Sequence, residues 1–463
     1  MKELLKQIIF EQQEYCKNIA QDTVPRDIEE EWLTTTEILI ITGIRRCGKS
    51  VLLQQMRSKL PEQDFFFNFD DERLVNFTVA DFQTLQECFF ELFGEQHTYY
   101  FDEIQNVKGW ETFVRRLYNE GNKVIVTGSN ARMLSRELGT HLTGRYIAVE
   151  IFPFSFQEYL QLAKVQLEAK DFYLTSKRAI LLGHFNEYLE KGGFPKYLQS
   201  SSTRYLSSLY DSIIFRDVMA RNGLTNDKEM QELIFYLASN ATKRITYTSL
   251  GKIVGIRHSE TVKNYLEYIE QTYMIFQLMK YSPSVKVQML NPKKIYFIDN
   301  AIVSRIGFNA TDNMGVKLEN IVFIELKRRG YDVFYHADKK ECDFVVREGM
   351  RIKEAYQVTI AMNDEKTRKR EIEGLMEAMN AYGLAEGYIL TMEEKEELEI
   401  DGKQKRCIVT VAGDTIANGQ LCKKLIIAYQ DNPNEKRVFA AFEKNNKIYG
   451  EFGSSTNLLI DFK

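Results

Sequence analysis

Eight consecutive residues, Gly43-Ile44-Arg45-Arg46-Cys47-Gly48-Lys49-Ser50, follow the pattern G-x-x-x-x-G-K-[ST], and their types suit the holding of phosphates. Glycine at 43 and 48 lets the backbone wrap closely around an anion where a side chain would clash. The N–H groups of such a loop, and the start of the helix after it, point at the negative charge. Lys49 is expected to reach the β- and γ-phosphates and Ser50 to hold Mg²⁺. The predicted binding stretch is Gly43 through Val51. The alternative is a chance match in a glycine-containing turn. The flanks argue against it, because an apolar run, Ile38–Ile41, precedes the loop and a helical pattern follows it.

A second group of chemically apt residues closes the apolar run Tyr99-Tyr100-Phe101-Asp102-Glu103. A strand ending in two acids beside a phosphate loop predicts Asp102 as a Mg²⁺ ligand, direct or through water. Glu103 is then the general base that polarises an attacking water. Read alone, the pair could be two solvated acids at a strand end. A third run, Val124–Thr127, exits through Gly128-Ser129-Asn130. A polar side chain there is expected beside the γ-phosphate: Asn130 first, with Ser129 or Thr127 as alternatives, or plain turn chemistry as the competing reading. The ligand these residues predict is a nucleoside triphosphate with Mg²⁺.

The elements that must position these residues alternate. Apolar runs at Ile38–Thr42, Phe65–Phe69, Thr98–Phe101, Val124–Thr127 and Tyr146–Ile151 are separated by helical patterns. That is a five-stranded parallel sheet covered on both faces, of α/β class, with its ligand at the carboxyl ends of the strands. Residues 153–240 read as helical, a lid over the nucleotide, with a break at Gly192-Gly193-Phe194-Pro195. Residues 241–310 read as a winged helix-turn-helix. Tyr247–Val254 is one helix, Gly255 the turn, and Ser259 caps a second helix to Ile269. Arg257, Lys263, Asn264, Lys280 and Lys286 are candidates to face DNA; the alternative is a structural or protein-binding winged helix.

Composition sets bounds. The 463 residues suggest about three domains. A net charge of −4 gives no global signal for nucleic acid, so any such binding needs a local patch. Six cysteines without C-x-x-C or Cys/His spacing fit a reducing compartment. The N-terminus reads as an amphipathic helix with no apolar leader core, and no run is long enough to span a membrane. A cytoplasmic location is expected. Cys47 lies inside the phosphate loop, where its oxidation would block the ligand unless it is only a small residue that fits.

The segments GIRRCGKS, FFFNFDDER, YYFDEIQNVKGWE, VTGSNARML, LTGRY and FPFSFQEYL occur in this order, and from about residue 20 to 404 the chain resembles a group of AAA-type ATPases. Those proteins carry a C-terminal domain of unknown function. The resemblance implies ATP as ligand, hydrolysis with Mg²⁺, an AAA-like core over 1–152 and a lid. It implies that Arg145, in Thr143-Gly144-Arg145-Tyr146, is an arginine finger acting on a neighbouring subunit, which leaves a homo-oligomer open. A surface arginine at a turn is the competing reading.

Residues 311–404 show the order helix, three strands, helix, strand. With the resemblance, this implies a PD-(D/E)XK nuclease-like fold. Such a site needs carboxylates for Mg²⁺ and a lysine to orient water. Glu319 and Asp343 match the first two positions. Gln357-Val358-Thr359 departs from the third, since threonine supplies no cation; Lys353 or Lys366 would have to take its place. The expectation is therefore a degenerate nuclease fold serving as a DNA- or protein-binding module, controlled by the ATPase. The alternatives are a slow nucleotide-gated DNA-binding switch and an ATP-dependent nuclease. Residues 405–463 are expected as an extension with strand-like pieces at Ile408–Val411 and Leu425–Tyr429.

Overall fold

A computed structural model of the chain describes residues 1–19, 23–129, 142, 144–166, 171, 174–308, 313–392, 396–400, 405–413, 441–444, 447–452 and 455–461. Five strands, β1 (Ile38–Thr42), β2 (Phe65–Asn68), β3 (Thr98–Asp102), β4 (Lys123–Gly128) and β5 (Tyr146–Glu150), form one sheet in the order β2-β3-β4-β1-β5. Every pairing in it is parallel. The alternation of the strands decides what each face buries. Ile38, Ile40, Phe65, Phe67, Tyr99 and Phe101 meet an aromatic cluster on one face. The helices Lys2–Ile19, Phe82–Phe93 and Trp110–Asn119 cover that face through Leu5, Ile8, Phe82, Phe89 and Phe113. A buried Leu, Ile or Phe side chain of this kind is worth about 1.5–3 kcal/mol.

The opposite face carries Leu39, Ile41, Phe66, Tyr100 and Ile125, and its core does not end with the sheet. It continues through Phe185 and Leu233 of the helices Thr175–Lys191 and Asp227–Ser239. It then reaches a small antiparallel sheet of β6 (Arg244–Ile245), β7 (Ile275–Met279) and β8 (Lys293–Phe297), ordered β6-β8-β7. The helices Tyr247–Val254 and Ser259–Gln271 precede β7, and a short helix, Val285–Leu290, lies between β7 and β8. Lys286 therefore sits on a helix rather than on a strand of a wing.

A six-stranded sheet follows the helix Met314–Arg328, and a separate antiparallel sheet of three strands, Ala441–Lys444, Lys447–Phe452 and Ser455–Asp461, comes after it. The strands of the six-stranded sheet are β9 (Asp332–Ala337), β10 (Glu341–Glu348), β11 (Arg351–Val358), β12 (Glu386–Thr391), β13 (Glu396–Ile400) and β14 (Lys405–Val411), ordered β13-β14-β12-β11-β10-β9. β9, β10 and β11 form an antiparallel meander; the helix Glu365–Tyr382 then crosses so that β12 runs parallel to β11. This corrects the boundary expected at residue 404. β14 pairs with both β12 and β13, so residues 405–411 belong to this sheet and not to an extension beyond it. The sequence pattern could not show this, because strand pairing is a long-range property. Phe344 and Tyr356 on the inner face join the same core as the five-stranded parallel sheet, so this core does not break at residues 152, 240 or 310. Among the described residues no helix is long and apolar enough to cross a membrane.

Candidate phosphate-binding site

The loop after β1 takes the shape its glycines allow. Gly43 has φ +149° and Gly48 φ +108°. A β-carbon on Gly43 would lie 2.2 Å from the Ile151 carbonyl oxygen, and one on Gly48 would lie 2.9 Å from Nη2 of Arg26. Gly43 therefore excludes a side chain on two counts, backbone conformation and a backbone clash, and Gly48 through its backbone conformation, since the Arg26 tip could move aside. Gly48 caps the helix Lys49–Arg57, whose amino end faces the loop. Ile44 and Cys47 turn inward into the apolar core, so they offer a ligand only backbone. Burial raises the Cys47 thiol above its ordinary range, which makes it an inert packing residue and not an oxidation switch. The five described cysteines are all buried and none is disulfide-bonded; Cys422 lies outside the described residues.

Lys49 is buried. Its Nζ donates to the Gly43 and Ile44 carbonyls at 3.1 and 3.2 Å and lies 3.6 Å from Glu103. Glu103 itself adopts the left-handed conformation, φ +51°, which turns the end of β3 toward the loop. Burial alone would raise its carboxyl; the Lys49 charge, with the Gln105 and Ser129 hydrogen bonds and the Arg45 charge, together outweigh that and hold it below the usual range. Asp102 behaves oppositely. Burial, and then the neighbouring Glu103, push its carboxyl up to about 6, partly offset by hydrogen bonds from Thr127 and Ser50. Thr127 connects the two acids, because its hydroxyl donates to Asp102 Oδ1 at 2.5 Å and accepts the Glu103 N–H at 2.9 Å. Gln105 donates to Glu103 Oε2 and, at 3.4 Å, to Ser129 Oγ.

The structure thus brings Lys49, Ser50, Asp102, Glu103 and Thr127 together at the carboxyl ends of β1, β3 and β4. Thr127, an alternative to Asn130 in the sequence reading, is the β4 residue joined to both acids. Asn130 lies outside the described residues. Arg145 does not join the group. Its carbonyl accepts the Ile38 N–H at 2.9 Å, which places it at the amino ends of β1 and β5, the far edge of the sheet. Arg46 is exposed, with φ +67°, and Val51 is half-buried on the first turn of the helix. A cleft of about 510 Å³ opens over the loop, lined among others by Tyr15, Lys49, Asp102, Lys196 and Tyr205.

Two contacts at this loop had no sequence signal. Arg26 lies over it: its guanidinium donates to the Cys47 carbonyl, to Phe152 O at 3.2 Å and to Glu158 at 3.0 and 3.1 Å, and stacks 4.7 Å from the Phe154 ring centre. Arg45 reaches the other way, to a π-helical segment, Ser212–Ala220. It grips Asp217 with two bonds of 2.9 and 3.3 Å, and Arg221 adds a second cation 3.8 Å from the same carboxylate. Arg221 Nη1 is buried without a hydrogen-bond partner. Both Arg26 and Asp217 lie many residues from the loop, at positions no local spacing marks.

Comparison with known proteins agrees with this geometry. Residues 35–160 match a family described as an AAA domain, and residues 182–312 match a domain of unknown function, DUF8612. The uncharacterized protein MJ1544 of Methanocaldococcus jannaschii is 33% identical over 392 residues, covering 82% of this chain and 86% of that protein. An uncharacterized protein of Haemophilus influenzae is 32% identical over 80% of this chain and 92% of its own length. Among solved structures, the RuvB Holliday junction branch migration motor of Thermotoga maritima aligns at 13% identity and a TM-score of 0.27, over 59% of this chain and 93% of its own. AMPPCP-bound DnaA of Aquifex aeolicus aligns at 14% and 0.21, over 56% and 86%. Scores this low add nothing to the assignment. The chain belongs to the family that includes the Methanocaldococcus and Haemophilus proteins, and residues 35–160 form its AAA-type phosphate-loop domain.

Proposed function

We propose that the protein binds ATP and hydrolyses it with Mg²⁺, and that nucleotide state is passed to a C-terminal partner-binding module. The observation that carries this reading is the convergence of Lys49, Glu103 and the Thr127-bridged Asp102 under a loop whose two glycines leave room for phosphate. The donor set fits the ion: Ser50 and Asp102 would hold Mg²⁺, which supplies positive charge to the phosphate oxygens. Residues Gly43 through Val51 cradle the triphosphate with backbone N–H groups. Lys49 moves from the Gly43 and Ile44 carbonyls to the β- and γ-phosphates. Glu103, relieved of that ion pair and held by Gln105, accepts a proton from water as the water oxygen bonds to the γ-phosphorus. The bond to the β-phosphate oxygen breaks, leaving ADP and phosphate. Asn130 is proposed beside the γ-phosphate.

Arg145 suits only a trans role, on the site of a second copy, since it lies at the edge away from its own loop. The domains proposed are the core 1–152, a helical lid 153–240, a winged-helix-like unit 241–310 and a degenerate nuclease-like unit from 311. The test is ATP turnover by wild type, Lys49→Ala and Glu103→Gln, with solution mass measured with and without ATP. Equal turnover in all three would sink the reading, and a mass unaffected by ATP would remove the trans finger.

A second reading, a slow nucleotide-gated switch, draws on the Arg45–Asp217 pair, which ties the loop to the helical segment. Tight ATP binding with slow single turnover would support it. Its DNA half has mixed support. Lys263 is paired with Glu267 at 3.7 Å and Lys280 with Asp338 at 2.7 Å, while Glu260 shares the Ser259–Gln271 helix. A steep salt dependence of DNA affinity would support DNA as the partner. No DNA binding at low salt would leave a protein partner.

A further inference from the structure

Away from the phosphate loop, three carboxylates from two elements converge on one buried ammonium. Lys294, on β8, has a side chain only 3% exposed. Its Nζ lies 2.7 Å from Glu341 and 3.0 Å from Asp343, both on β10, and 3.1 Å from Glu319 on the helix Met314–Arg328. An ammonium has three N–H donors; here it donates to Asp343 and Glu319, and Glu341 stands beside it at ion-pair distance. The acids are otherwise engaged as well. Tyr296 donates to the same Glu319 oxygen at 2.7 Å, and the Val358 N–H donates to the second Asp343 oxygen at 3.0 Å. Arg244 lies 3.3 Å from the second Glu341 oxygen.

A nuclease-like site in this unit would need Glu319 and Asp343 to hold a divalent ion, and the residues present do not fit one. A metal requires carboxylate oxygens at about 2.0–2.6 Å around a shared centre, and Nζ already occupies the space between them. A divalent ion placed there would stand against a buried cation. Gln357 does not restore the site. Its side-chain oxygen accepts the Asp343 N–H at 3.2 Å and its amide donates to Glu371. Thr359 donates to Ala361 O, away from the cage. Lys353 is exposed beside Glu348 and contributes nothing.

We propose that this cage is a cation site whose resident cation is Lys294: the side chain of β8 stands where a metal would bind and latches the small sheet β6-β8-β7 onto the C-terminal sheet. Burial by itself would strip the proton from Lys294, but the surrounding anions hold it well above its ordinary value, so the latch is charged. Two neighbouring contacts serve the same junction. Lys280, next to β7, pairs with Asp338, and the Tyr281 N–H donates to the Tyr335 carbonyl at 2.9 Å. The unit is then a docking floor for the winged-helix-like part, and its fold serves adhesion where a nuclease would cut.

The test uses Tb³⁺ and Mn²⁺ as probes of the full-length chain. All proteins carry Asp102→Asn, to silence the phosphate-loop site. Tyr296 touches the cage through Glu319 and should sensitise Tb³⁺ luminescence there. The parent should show no saturable Tyr-sensitised signal, and EDTA should leave its Tm unchanged. Lys294→Ala should lower Tm, gain Tb³⁺ affinity by roughly tenfold or more, and lose that gain when Asp343→Asn is added. Mn²⁺ should recover part of the lost Tm in Lys294→Ala and none in the parent. Saturable binding by the parent that Asp343→Asn abolishes, or a parent Tm lowered by EDTA, would overturn the proposal and make Lys294 the lysine of a metal-dependent site. A folded Lys294→Ala that gains no cation would overturn it too. If Lys294→Ala does not fold, the parent's Tb³⁺ and EDTA responses still decide.

Discussion

Asp102→Asn should make the nucleotide-free protein more stable while removing its ability to use Mg²⁺. Asp102 is 3% exposed, and burial with the nearby Glu103 raises its carboxyl from the ordinary 3.8 to about 6. At ~1.4 kcal/mol per pH unit, that rise corresponds to about 3 kcal/mol. The sign follows from proton counting. Between pH 3.8 and 6 the folded state binds more protons at this site than the unfolded state does, so stability falls as pH rises through the window. The full penalty is therefore present at pH 7.5. Asparagine is isosteric, can accept the Thr127 hydroxyl bond through its carbonyl, and carries no charge to desolvate. Asp102→Asn should accordingly gain up to about 3 kcal/mol at pH 7.5, which for a chain of this length is about 3 °C in Tm. The gain should shrink to nothing near pH 4. The assay is thermal and urea unfolding from pH 4 to 8 without nucleotide, repeated with MgATP. Ligand should stabilise wild type by mass action and have less effect on the variant. A variant no more stable than wild type at pH 7.5, or a gap independent of pH, would refute the account of Asp102 as a strained acid kept for its ligand.

Two further perturbations test the surroundings of the loop. Gly43→Ala forces a β-carbon to within 2.2 Å of the Ile151 carbonyl oxygen at φ +149°; we expect a stability loss of about 1–3 kcal/mol from backbone strain alone, with nucleotide binding weakened in parallel, both measurable by melting with and without ATP. Asp217→Ala leaves Arg45 and Arg221 without their shared counter-charge; urea unfolding should show a loss of about 3–5 kcal/mol, part of which Arg45→Met should restore, and additive effects of the two changes would show that the pair is not coupled.

Local patterns carried much of the phosphate-loop side. All five strands of the parallel sheet form within a residue of the apolar runs that announce them; β1, β3 and β4, inside the sheet, are buried almost throughout and must be apolar along their length, while the edge strand β5 is only partly covered. Gly43 and Gly48 were readable because a phosphate loop tolerates no side chain there. Asp102 and Glu103 were readable because acids ending a buried strand need a reason. The choice among Thr127, Ser129 and Asn130 was not readable. It depends on which side chain faces β3 across the sheet, and sequence spacing does not report that. The C-terminal half was legible as an order of elements and not as a site. The missing lysine of the nuclease pattern was sought at Lys353 and Lys366, near in sequence. The lysine among the carboxylates is Lys294, from a strand of another sheet.

The sequence by itself determined the phosphate loop, its acidic partners and the alternation that makes a parallel sheet. Each of these is enforced within a few residues by sterics, burial or the strand–loop–helix order. The tertiary structure alone decided that Arg26 lies over the loop, that Asp217 ties Arg45 to the helical segment, that β14 joins the six-stranded sheet, and that Lys294 fills the carboxylate cage. These are encounters between residues tens to more than a hundred positions apart. Their energies come from buried charges finding counter-charges, and that depends on where the whole chain places each side chain.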